Sequence, residues 1–252
     1  MRKPGEAGGS PYATGGGGVL LEHEYVASVL GSLLLGQPVD GLGDEFLPTQ
    51  VALQQEAFAP VDDVVIRGIS PCGDRALLVA CRRRPTLGRS SEATVALFAD
   101  FLHVVIDKPA ALASGELRLG LAVSGPFRPA TELADLTEIA RRQPDSTAFH
   151  AAVTTPGACS ANVRRRLTNV HELVDEALRT LGPDAPAAHD VRELSWELLR
   201  SLYVISLQLE GDVAPARTQL VARLQAVTAD MARAEQLRRC LVEIAGQAAG
   251  RL

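Results

Sequence analysis

Aromatic residues make up only 4% of the 252 residues, and the four cysteines (Cys72, Cys81, Cys159 and Cys240) are scattered without a C-x-x-C pair. The first scarcity calls for a core of alanine, leucine and valine. The second argues against a disulfide framework and a structural zinc site, and with no signal peptide ahead of the cysteines it points to a reducing, cytoplasmic setting. No apolar run approaches the roughly 18 residues of a spanning helix, so no membrane segment is expected. Basic charge is not in excess either. The formal net charge is −5, so any contact with nucleic acid must come from a local patch, and constitutive coating of DNA is disfavoured. The histidines (His23, His103, His150, His171 and His189) form no H-x-x-x-H pair and have no cysteine at ligand spacing, which argues against zinc. Ser70, Ser90 and Ser124 lack a G-x-S-x-G elbow.

What is present is ordinary for a folded protein: 46% hydrophobic and 22% charged residues, in a length that permits one large domain or a domain with an appendage. Residues 1–18, "MRKPGEAGGSPYATGGGG", are dominated by glycine and read as a disordered arm. The alternative, a glycine-rich phosphate cradle, needs a preceding strand that this segment does not have. The apolar spacing then predicts a helix over 19–35, closed by Gly36 and Pro38. Strands follow over 49–56, 61–68 and 74–82, then a helix over 91–108 capped by Ser91 and ended by Pro109, then a strand over 117–123. The expected α/β architecture is therefore a mixed sheet in the order αβββαβ over residues 19–125. After Pro126 the pattern turns helical, over 130–143, 160–181, 188–210 and 214–250, with no fixed-period repeat, so residues 126–252 are expected to form an α-helical region. Trp196 is expected in its core, with Tyr203 one heptad onward on the same stripe.

Two carboxylates sit on otherwise apolar elements. Glu22 shares a helical face with Val26, Val29 and Leu33, whereas Glu24 projects with Ser28 and Ser32 and is expected in solvent. An inward Glu22 calls for a cation or donors; the competing account is a first-turn carboxylate stabilised by the helix dipole. In "PVDDVVIRG", alternation puts Asp63 on the face of Val65 and Arg67, and Asp62 on the other. Asp63 is a candidate hard-oxygen ligand for Mg²⁺, or both aspartates are turn residues after Pro60. Arg82, Arg83 and Arg84, at the end of the third strand, are candidate phosphate contacts or solvated residues at a strand exit.

Taken together, "GVLLEHEYVASVLGSLLLG", "PVDDVVIRG" and "LLVACRRRPTLGRSSEATVALFADFL" resemble the PD-(D/E)XK restriction-endonuclease-like fold. More narrowly, they look like the dsDNA-nuclease-type domain at the N-terminus of bacterial antiphage effectors and large NTPases. The resemblance covers roughly residues 17–125. It implies Mg²⁺-dependent hydrolysis of DNA phosphodiesters, with Glu22 and Asp63 holding the metal and Arg82 at the phosphate. The departure is on the third strand, where the family has Glu, Asp or Gln two residues before Lys and this chain has Ala80 and Arg82. Ala80 supplies no ligand, and an arginine stays protonated and cannot act as a base. Two readings follow: a metal-dependent DNA endonuclease with a degenerate site, and a catalytically inactive interaction or assembly module of the same fold. The resemblance also implies a C-terminal NTPase or self-association as partners. A third reading is a cytosolic regulatory protein with no nucleic-acid role.

Overall fold

Alternation of apolar side chains along each strand gives the sheet two buried faces, and helices cover both. The computed structural model describes residues 17–39, 42, 46–53, 61, 63–71, 73–182, 190–209 and 214–249. The arm up to residue 16, Asp62, Cys72 and His189 lie outside these residues. Five strands form one mixed sheet in the order β1 (Leu47–Leu53), β2 (Val64–Ser70), β3 (Gly73–Arg82), β4 (Leu117–Ser124) and β5 (Leu202–Leu207). β2 pairs antiparallel with both β1 and β3, and β3, β4 and β5 run parallel. Parallel neighbours require crossovers. Here α2 (Glu92–Asp107) and α3 (Pro109–Ser114) link β3 to β4, and α4 (Arg128–Arg141), α5 (Ser146–Thr154), α6 (Ala161–Leu181) and α7 (Val191–Ser201) link β4 to β5.

Val65, Leu78, Ala80, Leu119, Leu121 and Val123 face the layer built from α2 and α4 to α7. Val64, Ile66, Leu77, Val79, Cys81 and Ala122 face the opposite layer, where α1 (Gly17–Leu35) lies with α9 (Met231–Ala249). Helix α8 (Pro215–Leu224) packs beside them through Leu220, Val221 and Leu224 against Ala27, Ala234 and Leu241. Trp196 is buried as expected and donates its indole N–H to the Ala140 carbonyl at 3.3 Å. Ser91 caps α2 by accepting from the Thr94 amide, and Pro109, which ends that helix, opens α3.

The second half is not wholly helical. The pattern over 188–210 divides into α7 and β5, because "LYVISL" combines β-branched and aromatic residues and fits against the buried strand β4. A short apolar run satisfies either period, so periodicity alone does not separate the two. Tyr203 consequently leaves the Trp196 stripe; its ring lies under the Arg141 guanidinium, 4.4 Å from ring centroid to carbon. Helices α3 and α5 were not expected, and the run over 214–250 breaks between α8 and α9. Strand β5 and helices α8 and α9 complete the sheet and cover α1, so residues beyond 125 share the core of the first half.

Gly68 sits inside β2 opposite Pro48. A Cβ there would lie 2.3 Å from the Leu47 carbonyl oxygen and 2.7 Å from the Phe46 ring, and the backbone atom cannot rotate away. Gly68→Ala is expected to destabilise the chain by about 1–3 kcal/mol. Urea unfolding checks this; a midpoint unchanged from wild type would refute it.

Candidate functional site

The antiparallel pairing of β2 with β3 sets Val64 opposite Val79 and so brings the residue before Val64 to the end of β3. Asp63 Oδ2 accepts the Cys81 amide N–H at 2.6 Å and the Arg82 Nη1–H at 2.5 Å. The same Arg82 nitrogen donates to the Cys81 carbonyl at 2.8 Å. The pair is partly open to water, with 18% of the Asp63 side chain and 39% of the Arg82 side chain exposed. Asp63 and Arg82 therefore come together as expected, but as an ion pair that occupies the carboxylate.

The Cys81 side chain lies on the α1 face. Burial pushes its thiol well up, and the Asp63 and Glu22 carboxylates push it further, with Arg82 opposing. A thiol held protonated in this way is no nucleophile. Burial, then Cys81, also raises the Tyr25 phenol. Glu22 is buried, as its helical face implied. Ala80, on the opposite face of the sheet from Cys81, packs among Val65 and Leu78. Mg²⁺ is held by one or two carboxylates, with water and phosphate oxygens completing its octahedron. Asp63 Oδ2 is already held by two donors, and position 80 offers none. Among the described residues no group of three His, Cys, Asp or Glu side chains is placed to hold a metal ion.

Glu24 departs from expectation. It is 5% exposed and receives Arg217 Nε–H at 2.7 Å and Arg238 Nη1–H at 3.2 Å on each carboxylate oxygen, while Ser32 is 1% exposed. The face of α1 expected in water is covered by α8 and α9, whose arginines supply the counter-charge.

Arg83 and Arg84 are exposed at the carboxyl end of β3. The segment that follows them is fastened at three points. Ser124 N–H donates to the Arg83 carbonyl at 2.8 Å, Thr94 Oγ1 to that of Thr86 at 2.9 Å, and Arg166 Nη1 to that of Leu87 at 2.6 Å. Arg166 is buried and paired with buried Glu132, whose other oxygen accepts from Arg128 Nε at 2.8 Å. These residues escaped the sequence reading, since a separation of 34 positions between Glu132 and Arg166 carries no local signal.

A second unexpected pair joins α5 to α6. His150 Nδ1 is 2.7 Å from the Ser146 carbonyl, and His150 Nε2 is 2.9 Å from His171 Nε2. A carbonyl only accepts, so His150 carries its proton on Nδ1 and its Nε2 accepts from His171 Nε2–H. Burial first, then His150 and Arg192, lower the His171 pKa to about 4, with Asp190 opposing. The unfolded ring titrates near 6.5. Unfolding therefore takes up a proton between these values, and this stability is complete above about pH 6.5 and lost as pH falls toward 4. With allowance for water at the half-buried ring, the loss is about 1–2 kcal/mol. Stability measured at pH 7.5 and 4.5 for wild type and His171→Asn should show a smaller difference in the variant; equal slopes would refute the assignment.

A cavity of about 130 Å³ lies between α1, β5 and α8, lined by residues that include Tyr25, Ser28, Ser206, Gln219 and Arg223. Among the described residues no helix is long and apolar enough to cross a membrane. No family model and no curated protein matches the chain. Among solved structures the chain is similar to a Cap4 SAVED/CARF-domain containing receptor of Moraxella osloensis, at 12% identity and a TM-score of 0.46. The match covers 92% of this chain and 43% of the receptor chain, so this chain spans less than half of that protein's length.

Proposed function

We propose that this chain is a nuclease-derived domain of restriction-endonuclease-like architecture that holds duplex DNA by its phosphates without cutting it, as an effector or assembly module of bacterial antiphage defence. The observation that carries the reading is the Asp63–Arg82 ion pair. The carboxylate that would hold a metal instead fixes the arginine at the place of the family's lysine, and Ala80 leaves the adjoining ligand position empty of oxygen. The element order α1, β1, β2, β3, α2, β4 supports the architecture. The antiphage setting comes with the resemblance of the quoted segments.

Losing a metal ligand and a catalytic ammonium removes charge stabilisation of the transition state; one such group can be worth about 10²–10³ in rate. Binding survives that loss because phosphate contact needs only charge and donors. The competing reading, Mg²⁺-dependent hydrolysis through Glu22 and Asp63, draws on both carboxylates bearing on Cys81. The two readings part in a plasmid assay with Mg²⁺ or Mn²⁺ and a duplex-binding titration against salt. The proposed function requires no nicking above background together with affinity that falls steeply with salt. In Asp63→Ala, binding should be kept or tightened several-fold, because a negative charge beside the phosphate contact is gone. Nicking by the wild type that Asp63→Ala abolishes would overturn the proposal in favour of the nuclease.

A further inference from the structure

Two runs of three arginines, residues 82–84 and 164–166, are far apart in the chain, and the fold brings them to one end of the sheet. Arg83 and Arg84 follow β3 at its carboxyl end, and the Ser124 amide at the end of β4 holds the Arg83 carbonyl. Helix α4 opens just after β4, and its Arg128 and Glu132 lie in the first turns. Arg166, in the second turn of α6, reaches both Glu132 and the Leu87 carbonyl. The first turns of α2, α4 and α6 therefore gather at the carboxyl ends of the parallel strands. In open α/β sheets ligands bind at this end, where helix dipoles favour anions.

The local charge is opposite to that of the chain. Segments 82–92, 128–132 and 160–166 hold eight arginines against Glu92 and Glu132, in a protein of net charge −5. Asp63 is engaged by Arg82, Glu132 by Arg128 and Arg166, and Glu172 by Arg89 at 3.6 Å. Glu92 is exposed at the start of α2. Arg83, Arg84, Arg128 and Arg165 are exposed, and Arg164 is partly so, with its Nη1 donating to the Cys159 carbonyl.

We infer that Arg164 and Arg165 continue the phosphate contacts of Arg83 and Arg84, so that a duplex lies across the carboxyl end of the sheet from β3 to the first turns of α6. The inference rests on the DNA-holding function proposed above and adds a second, separate half to its footprint. Arginine forks suit phosphate oxygens, and two fixed groups of them match a rigid polyanion better than a flexible strand. Each phosphate neutralised contributes about −0.9 to the slope of log K against log salt.

The test is fluorescence anisotropy of a labelled 20-base-pair duplex over a series of salt concentrations. The proteins are wild type, Arg83→Gln/Arg84→Gln, Arg164→Gln/Arg165→Gln, and the single exposed substitution Arg165→Glu. Circular dichroism and thermal melts establish that each is folded, and the single variant serves if the α6 double variant is not. Each double variant should bind about tenfold or more weakly at low salt and show a slope shallower by roughly 2, independent of sequence. If the α6 variants bind as wild type does while Arg83→Gln/Arg84→Gln is weakened, this inference fails and the proposed function stands. If wild type does not bind the duplex even at low salt, the proposed function fails and this footprint with it. A single-stranded RNA of equal length that outcompetes the duplex would overturn duplex DNA as the partner.

Discussion

Glu24→Ala is expected to cost the fold about 3–5 kcal/mol, because it leaves buried arginine charge without its partner. Glu24 is 5% exposed, and the Arg238 side chain that meets it is 11% exposed. Arg238 would keep only Glu235, which it meets at 2.9 Å and whose carboxyl its side-chain hydrogen bond helps pull down to about 2. Arg217 of α8 would lose its 2.7 Å contact at the same time. Both arginines anchor their helices to α1, beside the small cluster of Ala27, Leu220, Val221, Leu224, Ala234 and Leu241. Removal of the carboxylate should therefore loosen α8 and α9 together. Glu24→Gln retains an acceptor and should cost less than Glu24→Ala. Glu138→Ala, which breaks an exposed pair with Arg142, should fall within about 0.5 kcal/mol of wild type. Urea unfolding of the three variants makes the comparison. A cost below about 1 kcal/mol for Glu24→Ala would show that water reaches the pair.

The contrast between Glu22 and Glu24 marks what could be read from the chain. Helical periodicity finds the stripe that faces a sheet, and Glu22 lies on it, so its burial was legible. The opposite face of α1 is covered by helices some 200 residues later, and no local pattern announces a cover that comes from so far away. The same holds for Glu132 and Arg166, and for His150 and His171, whose pairings depend on how helices cross. Strands β1 to β4 and helices α1 and α2 were legible because each has a distinct period and a Pro, Gly or Ser boundary. Strand β5 was not, since it follows α7 directly, with no turn residue between Ser201 and Leu202. At the candidate site the sequence supplied the meeting of Asp63 and Arg82. That the two form an ion pair required the register of β2 against β3.

The buried Glu132–Arg166 pair separates stability from function. Arg166→Ala removes the cation from a carboxylate that is 9% exposed at its side chain, and a cost of about 3–5 kcal/mol is expected. Arg128 remains beside Glu132, but its side chain is 63% exposed and replaces little of the buried attraction. Replacing both buried partners, as Glu132→Leu/Arg166→Met, removes the charges together and fills the space with apolar atoms. Such exchanges are often neutral or stabilising, so the double variant should return to within about 1–2 kcal/mol of wild type. DNA binding should not return with it. The methionine has no donor for the Leu87 carbonyl, which Arg166 holds at 2.6 Å, so segment 83–90 loses its buried fastening to α6 and keeps the exposed Arg89–Glu172 pair. A duplex titration on the stable double variant should therefore remain several-fold weaker than wild type, although Arg83, Arg84, Arg164 and Arg165 are all intact. Recovery of affinity together with stability would show that Arg166 serves the fold alone and that the basic segment keeps its place without it.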